Sequence, residues 1–186
     1  MNSEKRVLVP LAEGSEELEA IAIVDILRRA KARVEIVGIG GKILTCSKGV
    51  RIIADMPIEE VTTDLHYDAI IIPGGMPGSE NIRDCKAFID ILQVNAKRGA
   101  LIGAICAAPA VVLDYHGMTK EKKVTCHPAF SHLLKHGIYE PQAIVVDSNL
   151  VTGKSAGYAI DFALKIMEIL CPDDIKKDVI LGLSIH

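Results

Sequence analysis

Four short apolar runs, at residues 6–11, 33–39, 67–73 and 100–105, limit most strongly how this 186-residue chain folds. The first is bounded by polar residues and a glycine and reads as a buried strand, and the run at 33–39 is β-branched. Between them Ser15 offers a helix N-cap, with Glu16 and Glu17 in the first turn where the helix dipole favours them. Ile23, Ile26, Leu27 and Ala30 then keep helical spacing. Strand, helix and strand in this order make a βαβ unit, and such units build parallel sheets. Further helices are expected over 84–97, where Phe88, Ile91, Leu92 and Asn95 share a stripe before Gly99, and over 107–115, because Pro109 falls in a first turn. Another carries Ile160, Ala163, Leu164 and Met167 and stops at Pro172, and a short one starts at Asp173. Hairpins are expected from 43–46 and 50–54 around Ser47-Lys48-Gly49, and from 143–146 and 150–152 around a Ser-Asn turn. Val124-Thr125 begins a short extended piece. With no repeats, low-complexity tracts or linkers, the expectation is one α/β domain over 1–186.

Composition narrows the function classes. A formal net charge of −3 gives no basis for strong nonspecific nucleic-acid binding. Residues 1–6 are polar and the run that follows is too short for a signal-peptide core, and no long apolar stretch spans a membrane. The five cysteines, an odd count without metal-finger spacing, read as free thiols of a cytoplasmic protein. No metal or cofactor is expected.

In Ala104-Ile105-Cys106-Ala107-Ala108-Pro109 an apolar strand stops at a cysteine, followed by small residues and a helix. Small neighbours let the backbone turn sharply enough to expose a nucleophile, as at a nucleophile elbow, although the full G-x-S-x-G pattern is absent. A thiol at a helix N-terminus is expected to have a lowered pKa. On position alone Cys106 is either such a nucleophile or a buried core thiol. Glu19 lies four positions before Ile23 and shares its core-facing stripe. Buried there it needs a partner or a raised pKa and could serve as a proton donor; the simpler reading is that it reaches solvent near the helix start. Gly74 and Gly75 follow a strand at the sheet edge where ligands collect, and their N–H groups could approach an oxyanion; a plain Gly-Gly turn is the simpler reading. His127, between Cys126 and Pro128, could act on Cys106 as a general base or hydrogen-bond partner.

Taken in order, Leu11-Ala12-Glu13-Gly14-Ser15-Glu16-Glu17-Leu18-Glu19, Ile72-Pro73-Gly74-Gly75, Ala104-Ile105-Cys106-Ala107-Ala108-Pro109 and Thr125-Cys126-His127-Pro128 resemble the ThiJ/PfpI superfamily, on its DJ-one branch of parkinsonism-associated deglycases. The resemblance covers roughly residues 5–170. It implies a flavodoxin-like sandwich, with a mostly parallel central sheet and helices on both faces, working as a homodimer. It further implies a protonated Glu19 bonded to Cys106, His127 nearby, Gly74 and Gly75 at an oxyanion site, and a backbone N–H from Ala107. Lys48 and Gly153-Lys154 stand where the branch often has Arg and Ser-Arg, and a lysine cannot copy bidentate arginine geometry. Ala108 stands where Gly is common.

The implied activity is a cysteine-dependent, glutathione-independent glyoxalase (hydro-lyase) that turns methylglyoxal into lactate, or a deglycase acting on early adducts of proteins and nucleotides. The alternative is a redox-sensing protein or chaperone regulated by oxidation of Cys106, with little turnover. A protease reading is weaker, because Cys126-His127 does not place a histidine directly after the elbow cysteine.

Overall fold

The computed structural model describes residues 4–184; residues 1–3 and 185–186, the two ends of the expected domain and part of its polar start, lie outside the described residues. The strands and helices run in the order β1 (Arg6–Ala12), α1 (Glu17–Arg29), β2 (Arg33–Ile39), β3 (Ile43–Thr45), β4 (Arg51–Ile53), β5 (Met56–Pro57), β6 (Ala69–Ile72), α2 (Gly78–Asp84), α3 (Lys86–Lys97) and β7 (Leu101–Ile105). After a π-helix at Pro109–Asp114 come β8 (Lys123–Val124), β9 (Ile138–Tyr139), β10 (Ile144–Asp147), β11 (Leu150–Gly153), α4 (Ala159–Leu170) and α5 (Asp173–Leu183).

Seven strands form the central sheet in the order β10-β11-β7-β6-β1-β2-β5. Only β10 runs antiparallel, through its hairpin with β11. The apolar runs are continuous because both faces of the sheet are covered, and side chains alternate between the two cores. Val7, Val9 and Leu11 of β1 pack on the α1 and α4 side, while Leu8 and Ala12 pack on the α3 and π-helix side. Ala69 and Ile71 of β6 take the first core, Ile70 and Ile72 the second. This is the flavodoxin-like sandwich that the motifs implied. No helix among the described residues is long and apolar enough to cross a membrane.

The chain passes from β1 outward to β2 and later returns to place β6 on the other side of β1. The loops after β1 and β6 therefore diverge, which opens a crevice at the carboxyl edge of the sheet. The start of α1 with Glu19 and the loops carrying Gly74, Cys106 and Lys154 all follow strands at that edge.

Local details differ from expectation. The helix expected over 84–97 begins at Lys86, and α2, with Ile82 its only large apolar residue, gave no periodic signal. The segment 107–115 winds with π rather than α spacing. Ser15 does not cap α1; Glu16 occupies that position, and the buried Ser15 Oγ instead accepts the Ala12 N–H. Ser15 is enclosed by Gly78, where an added Cβ would lie 2.3 Å from the Ser15 nitrogen.

Candidate active site

Cys106 follows the last residue of β7 with φ +64°, a left-handed conformation that costs a non-glycine residue about 1–2 kcal/mol. Both of its peptide groups are tied down: its N–H donates to the Gly153 carbonyl (2.9 Å) and its carbonyl accepts the His127 N–H (2.8 Å). Strain of this kind persists where the surroundings over-determine it. The turn leaves the thiol half-buried next to Glu19. Ala108 has ordinary right-handed geometry (φ −60°, ψ −37°), so this position accommodates a methyl group.

Glu19 is fully buried, so the reading in which it reaches solvent is corrected: the i, i+4 relation to Ile23 governs. Its Oε2 accepts the Gly74 N–H at 2.7 Å, while Oε1 is buried without a hydrogen-bond partner. Burial pushes the carboxyl up to about 7, against the opposing bonds from Gly74 and Cys106. Burial and the neighbouring Glu19 charge push the Cys106 thiol up to about 12. Position at a helix start alone therefore does not produce a thiolate here. Two adjacent anions are unfavourable, so the pair retains one shared proton through neutral pH. A proton on Oε1 would convert the orphaned acceptor into a donor.

The glycines divide the labour. Gly74 spends its N–H on Glu19, which corrects its expected place as an oxyanion donor. The N–H groups directed at the Cys106 sulfur are those of Gly75 and Ala107. Gly74 must also lack a side chain, because a Cβ would lie 2.6 Å from Cys106 Cβ and 2.9 Å from Glu19 Oε2. Gly74→Ala is expected to slow alkylation of Cys106 by iodoacetamide at least tenfold and to cost about 1–3 kcal/mol in urea denaturation. Wild-type values for both would show that the contact yields without consequence.

His127 is held beside Cys106 by its backbone. Its Nδ1 accepts the Ala129 N–H at 3.2 Å, so the neutral ring carries its proton on Nε2. It therefore presents a donor, which suits the expected hydrogen-bond partner better than the expected general base. Thr125 N–H donates to Thr152 Oγ1 (2.9 Å) and fixes the approach of this segment to β11. The Lys48 N–H donates to the Glu17 carboxylate and the Lys154 N–H to the Ala143 carbonyl, so both positions are anchored through the backbone. Cys126 is fully buried, and burial pushes its thiol up to about 11. Among the described residues no group of three or more His, Cys, Asp or Glu is placed to hold a metal ion.

Sequence reasoning missed Asp114, whose signal is a lone carboxylate inside the apolar stretch 110–115. Its buried carboxylate accepts from Thr119 Oγ1 and from the backbone N–H groups of Lys135, His136 and Gly137. Ser47 was read only as part of a turn, yet its hydroxyl donates to Glu16 Oε2 at 2.6 Å.

Residues 5–169 match the DJ-1/PfpI family. Protein DJ-1 homolog B of Arabidopsis thaliana is 38% identical over 164 residues, covering 88% of this chain, and this chain spans 37% of that protein's length. The glutathione-independent glyoxalase DJR-1.2 of Caenorhabditis elegans is 38% identical over 173 residues, 91% of each chain. The structure of oxidized Toxoplasma gondii DJ-1 superposes with a TM-score of 0.92 at 39% identity, covering 97% of this chain and 98% of that one.

Proposed function

The chain belongs to the DJ-1/PfpI family, and on that footing we propose that it is a glutathione-independent glyoxalase that uses Cys106 as nucleophile and Glu19 as proton carrier. The observation that carries the reading is the buried Glu19 carboxyl, raised to about 7 and interacting directly with the Cys106 thiol, with Oε1 left unpartnered. A carboxyl that holds a proton near neutral pH can both give and take one during turnover. The reading is also supported by the relative that bears that activity in its name.

In the proposed reaction the Cys106 thiolate adds to the aldehyde carbon of methylglyoxal, and the resulting alkoxide takes the Glu19 proton to give a hemithioacetal. The Glu19 carboxylate then removes the hydrogen on that carbon. The electron pair moves toward the neighbouring ketone, whose oxygen takes that proton back from Glu19 to give an enediol. Glu19 then takes the hydroxyl proton from the sulfur-bearing carbon and delivers it to the former ketone carbon, which leaves an S-lactoyl thioester. Water adds to this thioester and lactate departs as the thiolate is restored. Gly75 and Ala107 N–H groups stabilise the oxyanions formed on the way, and His127 Nε2–H is a further donor. The same first addition would act on early glycation adducts.

Turnover of methylglyoxal without glutathione tests the assignment: Cys106→Ser is expected to abolish it, and equal rates for the two proteins would end it. A second reading, oxidation-dependent sensing or chaperoning, is supported by the oxidized state of the Toxoplasma relative. Under that reading the reduced wild type turns over no faster than Cys106→Ser. The proposal includes a homodimer, supported by exposed Leu18, Ile21 and Ile160, which form one apolar face with Leu183.

A further inference from the structure

A file of hydrogen-bonded peptide groups runs from a surface turn to Gly75, the glycine whose N–H acts to lower the Cys106 thiol pKa. The Gly49 N–H donates to the Cys46 carbonyl at 3.0 Å. The N–H of that same peptide group, on Ser47, donates to the Ser15 carbonyl at 2.8 Å. The next N–H, on Glu16, donates to the Gly74 carbonyl at 2.9 Å. The last, on Gly75, acts on Cys106 in the direction that lowers its thiol pKa. In a trans peptide C=O and N–H point in opposite directions, so each unit accepts at one end and donates at the other. The three units, Cys46–Ser47, Ser15–Glu16 and Gly74–Gly75, thus align their dipoles with the positive end on sulfur. Hydrogen bonds in series polarise one another, and the effect is larger away from water.

We propose that the β3–β4 turn at 46–49 sets how strongly the Cys106 thiolate is held, through this file, with Ser47 as a positioning residue that touches neither substrate nor sulfur. The inference rests on the reading that the Cys106 thiolate is the working group. It joins three loops far apart in sequence, and the contact between them is rigid. A Cβ on Gly75 would lie 2.4 Å from the Glu16 nitrogen and 2.6 Å from the Gly14 carbonyl oxygen, so the loops have no room to slide past each other. The charged group that acts directly on Cys106 is Glu19 on α1, and Glu16 acts in turn on Glu19. His127, tied to the Cys106 carbonyl, is the other titratable neighbour. All three stay in place in the variants below.

The test is the pH dependence of Cys106 alkylation by iodoacetamide, read by peptide mass spectrometry. An amide-to-ester exchange at Ser47 removes this N–H and weakens the Cys46 carbonyl as an acceptor, both within the file. It is expected to raise the apparent pKa of Cys106 and slow alkylation about threefold on the acid limb of the profile. Ser47→Ala keeps the N–H and is expected to match wild type. An ester at Lys48 loosens the same turn but removes an N–H that donates to Glu17 outside the file, so it too is expected to match wild type. An unchanged profile for the Ser47 ester overturns the proposal. So does an equal shift from the Lys48 ester, which indicates general loosening, or a shift from Ser47→Ala, which indicates action through the Glu16 carboxylate. Alkylation needs no turnover, so failure here leaves the glyoxalase assignment untouched, and failure of that assignment is read in the separate methylglyoxal assay.

Discussion

Glu19→Gln is expected to lower kcat for methylglyoxal by about 10²–10⁴-fold while changing KM little, the range typical for loss of a positioned acid–base group. Glutamine is nearly isosteric and keeps a carbonyl oxygen for the Gly74 N–H, which Glu19 Oε2 accepts at 2.7 Å. Its amide can still donate to the sulfur. What it cannot do is release a proton to the alkoxide and recover one from carbon, so the loss falls on the chemical steps and not on binding. A kcat within a few-fold of wild type would remove Glu19 from the proton path.

The same variant has a stability signature with a definite sign. Burial raises the Glu19 carboxyl from 4.5 to about 7, so the folded state binds its proton more tightly than the unfolded chain does. This contribution is fully present below the unfolded pKa and is lost as pH rises through about 7. Glutamine does not titrate. The difference in unfolding free energy between Glu19→Gln and wild type should therefore grow in favour of the variant between pH 4.5 and 7 and level off above, by an amount on the order of 3 kcal/mol. Urea titrations across that range measure it, and a flat difference would mean that the carboxyl is relieved of its burial.

The strands were legible because two covered faces demand unbroken apolar runs, which β1, β6 and β7 each have, while β2 is β-branched around the buried Glu35. The two hairpins were legible from their turn residues. What escaped was set by contacts remote in sequence. Ser15 is a good cap in isolation, but Gly78 and Ala12 enclose it and turn its hydroxyl elsewhere. Glu19 looked free to reach water because a helix start usually is, and only the loop after β6 closes over it. Cys106, Glu19, Gly75 and His127 could be picked out singly. The division between Gly74, which anchors the carboxyl, and Gly75, which faces the sulfur, depends on the direction of individual N–H bonds, and neighbouring glycines in a sequence carry no trace of that.

Asp114→Ala is expected to cost about 3–5 kcal/mol of stability, because it strips one buried acceptor from four donors at once, the buried Thr119 hydroxyl and the N–H groups of Lys135, His136 and Gly137. Domains commonly hold only about 5–15 kcal/mol in total, so the variant should unfold at a much lower urea concentration. Burial alone would raise the Asp114 carboxyl. The bonds from Thr119, Lys135, Gly137 and His136 outweigh it and hold the carboxyl below its ordinary 3.8. A lowered folded pKa contributes stability that is present above the unfolded value and lost as pH falls through the folded one. Wild type should therefore lose part of its margin below about pH 4, with the variant flatter over the same interval. The carboxylate ties the end of the π-helix that follows Cys106 to the loop that follows the His127 turn, yet it bonds to neither residue. Cys106 alkylation in the folded fraction of Asp114→Ala should accordingly keep its wild-type pH profile. A stability loss under 1 kcal/mol would show that the loop finds other partners, and a displaced profile would show that this hub also holds the elbow in shape.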